Sequence, residues 1–281
     1  MNDGTTANTK MSGILRREMA PITASGWKEI ELQSSRLLKG NLCGRKLVDF
    51  HGPHGLQFAA VNLGHLDVDP VRTSDGVGWG VHQVLPLVEI RVPFSLRIWD
   101  LDDIERGAKN PDLQALTEAA RKAAIFEERA LFHGFSGAGI RGMLDVSRHA
   151  PVALGPDRNH FTESVELALL AIQEAEIGGP YALVLGTEPY KWLMAGEPNA
   201  YPLRQRIDAL VSGGIHWSPV LEGGAVLSVR GGDFEMTVGQ DLSIGYHHHD
   251  ETNVELYFTE SFTFRVLETA AAVELKLQAT S

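Results

Sequence analysis

The sequence predicts an α+β fold, in which helices and antiparallel strands occupy separate stretches of the chain. Several segments before Gly224 carry apolar residues at helical spacing, whereas the later segments follow strand patterns. The regular alternation of strand and helix that a doubly wound parallel sheet requires is missing. The 281 residues are enough for one large domain or two ordinary ones.

The composition excludes several classes of function. The formal net charge is -11, and the basic residues are scattered rather than clustered as a nucleic-acid-binding face requires. No apolar run approaches the ~20 residues that span a bilayer. The single cysteine, Cys43, cannot form an internal disulfide, which favours a reducing compartment and predicts a cytoplasmic protein. The polar N-terminus lacks the apolar core of a secretory signal and predicts a flexible arm.

The first predicted helix follows Pro21. Thr23 is its expected cap, apolar residues from Trp27 to Leu38 recur at helical spacing, and Gly40 is its expected stop. The next segment, 51–80, is rich in Gly and Pro and predicts an extended β-arm or long hairpin. Residues 82–94 then alternate as one strand.

The strongest helix signal covers residues 110–133. Asn110 is its expected cap, Pro111 lies in its first turn, and Gly134 ends it. Further helices are predicted over 162–178 and 202–213, with a buried strand between them in "PYALVLG".

The C-terminal part predicts a hairpin of two long strands, Asp233–Tyr246 and Asn253–Val266, joined by the polar segment "HHHDET". In an extended segment at most His247 and His249 share a face, whereas a zinc site needs three or four converging ligands. The pattern therefore favours a solvated turn, and we predict no metal site.

No catalytic residues are predicted. The Gly-rich "GFSGAG" does not match G-x-S-x-G, and no nucleophile is paired with a base. Cys43 is expected to be a buried small residue, and the charged stretch 102–106 is expected to precede a helix. The sequence thus argues against an enzyme.

Several segments in fixed order resemble the encapsulins, the nanocompartment shell proteins once described as linocin-like bacteriocins. They include "REMAPITASGWKEIE", "GRKLVDFHGPHGLQFAAVNLG", "GWGVHQVLPLVEIRVPF", "LDDIERGAKNPDL", "GGPYALVLGT" and "RGGDFEMTVGQDLSIGY" with "FTESFTFRV". The resemblance runs from about Leu15 to Leu277, nearly the whole chain.

The resemblance implies the fold of tailed-phage major capsid proteins, which has an extended E-loop, a P domain with a spine helix, and an A domain. The implied parts are a flexible arm (1–12), an N-terminal helix segment (13–50), the E-loop (51–80), the A domain (151–225), and the P domain (81–150 and 226–281).

It also implies a function. Sixty copies would close an icosahedral, non-enzymatic shell around a cargo enzyme, docked through its C-terminal targeting peptide. A dye-decolourising peroxidase would make an oxidative-stress compartment and a ferritin-like iron oxidase an iron store, with haem or iron carried by the cargo. The alternatives are a phage or prophage capsid subunit and, from another class, a protease or bacteriocin-like enzyme.

The resemblance assigns three candidate sites. Cargo docking falls on Leu38, Leu42, Arg45, Asp49 and Ile244, although the two leucines could instead only pack their helix on its own subunit. A flavin would stack on Trp99 near Arg91 or Arg97, although a structural Trp is the alternative. Glu197, Asn199 and Tyr201 would line a five-fold pore, where a ring of carboxylates favours cations.

Overall fold

The structure is a computed structural model that describes residues 12–68, 77–155, 158–194 and 203–278. The α-helices within these ranges are α1 (Ser12–Leu15), α2 (Ala24–Asn41), α3 (Ile98–Glu105), α4 (Gln114–His133), α5 (Arg158–Glu174), α6 (Thr187–Met194) and α7 (Leu203–Leu210). The strands are β1 (Asp49–His51), β2 (Ala60–Asp67), β3 (Val81–Pro86), β4 (Val88–Arg97), β5 (Val152–Leu154), β6 (Tyr181–Leu185), β7 (Ile215–Trp217), β8 (Gly224–Ser228), β9 (Phe234–Val238), β10 (Ser243–His249), β11 (Asn253–Val266) and β12 (Ala272–Leu277).

The first sheet is organised around the long strand β11. Its N-terminal part pairs antiparallel with β10 on one side and β4 on the other, and its C-terminal part pairs with β9. Strand β1 adds to β9 in parallel. The strand is buried along most of its length because Phe258, Phe262 and Phe264 pack into the core. The predicted run Asp233–Tyr246 is therefore two strands, β9 and β10, that both pair with β11.

The spine helix α4 packs against this sheet and against α2. It ends at Gly134 as predicted, where φ is 76° and an added Cβ would lie 2.7 Å from the carbonyl oxygen of Ile140. Its predicted start at Asn110 is wrong. The carboxylate of Asp112 accepts a hydrogen bond from the backbone N–H of Gln114, so the helix begins at Gln114.

The second sheet has the order β5-β12-β8-β6-β7, and α5 packs against it. Strand β12 pairs in parallel with β5 and antiparallel with β8. Residues 272–277, which fall in the expected P-domain range 226–281, therefore pair with strands of the expected A-domain range. The first four of these residues are mostly buried, whereas Lys276 and Leu277 are exposed.

A two-stranded hairpin, β2–β3, forms a sheet of its own. Its second strand runs to Pro86, beyond the expected E-loop end at residue 80, and the predicted strand 82–94 is split at Leu87 into β3 and β4. The hairpin exposes large apolar side chains. They are Leu66, Val68, Val77, Trp79, Val81 and Val84. Surface of this kind needs a partner.

The three histidines lie in β10 and not in the predicted turn. The turn is formed by Asp250–Thr252, where Asp250 accepts hydrogen bonds from the backbone N–H groups of Thr252 and Asn253. Across the described ranges, no group of three or more His, Cys, Asp or Glu side chains is placed to hold a metal ion. None of the described helices is long and apolar enough to cross a membrane.

Candidate functional site

A groove of about 910 Å³ lies between the N-terminal helices and strand β10. Its apolar walls combine side chains from α1, α2, β10 and the segment before it, and β11. These side chains are Leu15, Leu38, Leu42, Leu242, Ile244 and Phe258. Charged groups stand at its rim, among them Arg17, Glu31 and Lys39. An apolar channel with a polar rim suits an extended or helical peptide.

Helix α2 forms one wall because its sequence is amphipathic. Thr23 caps it as predicted, and its hydroxyl oxygen accepts a hydrogen bond from the backbone N–H of Gly26 at 3.1 Å. Ile30 is fully buried on the face towards the core. Leu38 at the end of the helix and Leu42 just after it are four residues apart, so both point towards the groove.

The segment around α1 forms the outer wall. Arg17 pairs with Glu31 at 2.5 Å, and its guanidinium lies 4.0 Å from the ring centroid of Trp27. The hydroxyl of Tyr257 donates to the carbonyl oxygen of Ile14 at 3.3 Å. These contacts hold the segment against α2 and β11.

Arg45 lies at the floor of the groove, where carboxylates occupy most of its donors. It makes two hydrogen bonds to Glu127, at 2.8 and 2.7 Å, and pairs with Asp241 at 2.8 Å and Glu260 at 2.5 Å. Burial alone would lower the pKa of Arg45, but these carboxylates together raise it above its ordinary value. Its main role within one copy is therefore to neutralise buried acids.

A third buried acid, Glu128, lies next to these ion pairs. It accepts hydrogen bonds from the backbone N–H of Gly44 at 2.6 Å, the hydroxyl of Ser218 at 2.9 Å and the thiol of Cys43 at 3.1 Å. Burial raises the pKa of Glu128 to about 7. Burial, with Glu128 beside it, also raises the pKa of the Cys43 thiol, so Cys43 is the inert buried residue expected.

Sequence reasoning missed Glu127, Glu128 and Glu260, although a signal was present. The two adjacent acids interrupt the apolar stripe of α4 in "FEERALF", and Glu260 stands among the aromatic residues of "FTESFTF". Charged side chains in buried positions of an element indicate an internal ion pair or a functional group.

The structure brings together four of the five predicted docking residues, Leu38, Leu42, Arg45 and Ile244, and leaves the fifth apart. Asp49 instead accepts a hydrogen bond from the backbone N–H of Gly232 at 2.5 Å. It lines a separate cavity of about 70 Å³. Its carboxylate therefore holds the loop before β9.

Of the two basic residues expected near a flavin, Arg97 lies two residues before Trp99, whereas Arg91 lies further back along β4. Trp99 is 71% exposed and its ring centroid lies 5.9 Å from the guanidinium of Arg106. Arg91 rests over Tyr257 and pairs with Glu89 at 3.0 Å. Six residues of β4 separate Arg91 from Arg97 beside Trp99, about 20 Å at ~3.3 Å per residue.

Arg97, the other basic residue expected near the flavin, pairs with Asp100 at 2.8 Å. The predicted pore residues Glu197, Asn199 and Tyr201 lie outside the described residues.

Sequence comparisons identify relatives along most of the chain. A family model described as "Encapsulating protein for peroxidase" matches residues 11–263. The type 1 encapsulin shell protein of Rhodospirillum rubrum is 42% identical over 268 residues, 93% of this chain and 96% of that relative. The protein of the same name from Rhodococcus erythropolis is 39% identical over 262 residues, 93% of this chain and 98% of the relative.

Structural comparisons confirm the predicted capsid fold. A virus-like particle from Pyrococcus furiosus aligns with a TM-score of 0.62 at 17% identity, covering 90% of this chain and 99% of that one. A chain of Mycobacterium phage Bobi aligns with a TM-score of 0.57 at 10% identity, covering 85% and 91%. At such low identities the likeness concerns the fold alone.

Proposed function

This chain belongs to the encapsulin family of shell proteins, and from that premise we propose that about sixty copies close an icosahedral shell around a cargo enzyme. The observation that carries the proposal is the β2–β3 hairpin. Its apolar side chains, such as Leu66 and Val84, are exposed in the described part of a single copy. Burial of such surface contributes about 25 cal/mol per Å², so a neighbouring copy that covers the hairpin stabilises the assembly.

The groove between α2 and β10 is the docking site we propose for the cargo. Its occupant is the C-terminal peptide of the cargo protein, whose apolar side chains would contact Leu38, Leu42 and Ile244. Arg45 supports the floor from below, because its donors are engaged by internal carboxylates. Asp49 is not among the residues that line this groove.

A peroxidase is the cargo we propose first, since the matched family is described as encapsulating one. A ferritin-like iron oxidase is the second candidate. In either case the shell itself is not the catalyst, which agrees with the names of its relatives. We place the shell in the cytoplasm because its single cysteine is a free thiol.

Electron microscopy of the purified protein, with mass spectrometry of the proteins that co-purify, tests the proposal. We expect closed particles of uniform diameter and a stoichiometric enzyme inside them. Sedimentation of the whole sample as single copies of 30.7 kDa would overturn the shell function.

The alternative of a phage or prophage capsid shares the fold and predicts particles filled with DNA. Nuclease-resistant DNA inside the particles would favour that alternative. Hydrolytic activity of empty particles would instead favour the protease or bacteriocin-like enzyme.

We also propose that a flavin stacks on Trp99, and the positions of the nearby arginines decide which of them could contact it. Arg91 does not fit a site shared with Trp99 within one copy, and Arg106 is the cation at the Trp99 ring. Flavin absorbance of purified wild-type shells that is lost in Trp99→Ala shells would support binding there. Colourless wild-type shells would leave Trp99 without this role.

A further inference from the structure

Two adjacent glutamates on α4 hold the short connection that leads from the groove into β1. Glu127 accepts two hydrogen bonds from Arg45, while Glu128 accepts one from Gly44 and one from Cys43. Three consecutive residues of the connection are thus held by two consecutive residues of the spine helix. Because Arg45 also lines the groove, the position of this connection sets the shape of the groove floor.

The charges beneath the floor do not balance when every acid is ionised. Arg45 faces three carboxyl groups, and the side chains of Glu127 and Glu260 are 0% exposed, whereas Asp241 is 42% exposed. Two dehydrated carboxylates against one guanidinium leave a buried negative charge, which is costly. Retention of a proton removes that cost.

Glu260 is well placed to hold this proton. Its Oε2 atom is buried without a hydrogen-bond partner in the part of the chain that the structure describes. Its carboxyl group and that of Glu127 both accept a hydrogen bond from the same nitrogen of Arg45. Burial raises the pKa of Glu260, as does the charge of Glu127.

Glu128 adds a second group that titrates near neutrality. The groups that face it are the thiol of Cys43, the hydroxyl of Ser218 and the carboxylate of Glu127. The positive charge of Lys46 lowers the pKa of the neighbouring Cys43 thiol, against the larger effect of burial. None of its three hydrogen-bond donors carries a charge. When Glu128 loses its proton, its charge is unpaired and lies next to that of Glu127.

We propose that Glu127, Glu128 and Glu260 are positioning residues for the cargo groove, and that the protons retained by Glu128 and Glu260 keep it in its docking shape. As the pH rises, mutual repulsion of the ionised carboxylates loosens Cys43–Arg45, and peptide docking weakens. Acidification restores it. The inference rests on the docking function proposed above.

Hydrogen–deuterium exchange of assembled shells, without any cargo, tests whether the three glutamates hold the segment Cys43–Arg45 in place. Residues 42–47 are compared in wild-type, Glu128→Gln and Glu260→Gln shells, after correction for intrinsic exchange rates. Each substitution retains a carbonyl acceptor but removes the titrating proton. Glu118→Gln is the matched control, since Glu118 is an exposed glutamate on the same helix.

We expect wild-type and Glu118→Gln protection of this segment to fall about tenfold between about pH 6 and pH 8, and the other two variants to show a flatter profile. A merely structural contact would lower protection by the same factor at both pH values. The inference is overturned if wild-type protection is the same at both pH values. It is also overturned if Glu128→Gln and Glu260→Gln both show the same pH dependence as wild type.

Peptide retention tests the effect on docking. The probe is a labelled synthetic peptide that copies the C-terminal segment of the co-purifying enzyme, and shells are reassembled with it at each pH. We expect several-fold more bound peptide per copy at the lower pH in wild type, and a weaker dependence in Glu128→Gln. Bound peptide without pH dependence overturns this inference alone. No bound peptide at either pH overturns the docking function, and the pH control with it.

Discussion

The β2–β3 hairpin and the junction around Arg45 depart from the usual distribution of side chains in opposite ways. The hairpin exposes apolar residues such as Leu66 and Val84, while the junction buries the acids Glu127 and Glu260 completely. The buried acids of the junction find a partner within the copy, in Arg45. Among the described residues, the apolar side chains of the hairpin stay exposed, and surface of this kind marks an interaction site, which we propose that another copy covers. Within one copy, the buried acids beneath the groove are thus paired, whereas the apolar side chains of the hairpin are left exposed.

The largest effect we expect comes from a charge on the hairpin. Leu66→Asp with Val84→Asp should abolish shells, because each carboxylate would have to be buried without a partner at the contact between copies. Analytical ultracentrifugation should show single copies, and their circular dichroism should match that of dissociated wild type. A double variant that still forms shells would show that the hairpin does not carry assembly.

Two controls separate this effect from a general loss of solubility or fold. Leu66→Met keeps an apolar side chain and should leave assembly intact. Leu32→Asp places the same charge on an exposed leucine of α2, outside the hairpin and the groove lining, and should also form shells.

The next effect concerns the junction. Arg45→Ala leaves two buried carboxylates without their cation and should lower the free energy of unfolding by about 3–5 kcal/mol. Urea titration of dissociated copies measures it. Lys191→Ala breaks an exposed ion pair with Glu188 and should cost less than about 1 kcal/mol. Equal losses in the two variants would contradict the structural role of Arg45.

The pH dependence of the free energy of unfolding tests whether Glu128 titrates with a raised pKa in the folded protein. Its pKa is raised in the folded state from 4.5 to about 7. The folded state therefore binds more protons in this window, and the stabilisation present below pH ~4.5 is lost as the pH rises through about 7. Relative to Glu128→Gln, wild type should lose roughly 3 kcal/mol of unfolding free energy across the window. A difference that is constant with pH would mean that Glu128 does not titrate there.

Truncation of a groove residue should have a smaller and more local effect. Leu38→Ala removes one apolar contact of the proposed peptide and should reduce cargo loading about tenfold, the equivalent of ~1.4 kcal/mol, with shells intact. Densitometry of cargo and shell bands in purified particles measures it. Leu32→Ala, on the same helix but outside the groove lining, should load normally. Equal loading in both variants would remove Leu38 from the docking site.

The elements with clear sequence periodicity were predictable, and the tertiary contacts were not. Strand β11 matches its predicted bounds because turn residues flank an uninterrupted pattern. Strand β10 continues past its predicted end because pairing with β11 holds the polar histidines as far as His249. Strand β12 lies in the second sheet because β5 and β8 supply its hydrogen bonds. No local pattern specifies such pairing.

In the candidate site, too, local spacing was predictable from the sequence and the tertiary contacts were not. Leu38 and Leu42 share a helix face and so could be placed together from spacing alone. The three acids beneath the floor come from two distant segments, α4 and β11, and meet Arg45 only in the folded chain. Asp49 was assigned to the groove by the family resemblance, but the turn Gly44–Lys46 leads β1 away to pair with β9.

Asp49→Asn tests this last point and should have the smallest effect. The amide oxygen of the variant can still accept the hydrogen bond from Gly232, so the loop before β9 should keep its position. Cargo loading, measured by densitometry as for Leu38→Ala, should stay within about twofold of wild type, which is less than ~0.5 kcal/mol. Loss of loading as large as that of Leu38→Ala, with shells intact, would mean that the peptide extends beyond the groove to β1. The docking surface would then include the cavity beside Asp49, and Arg45 would lie at its centre and no longer at its floor.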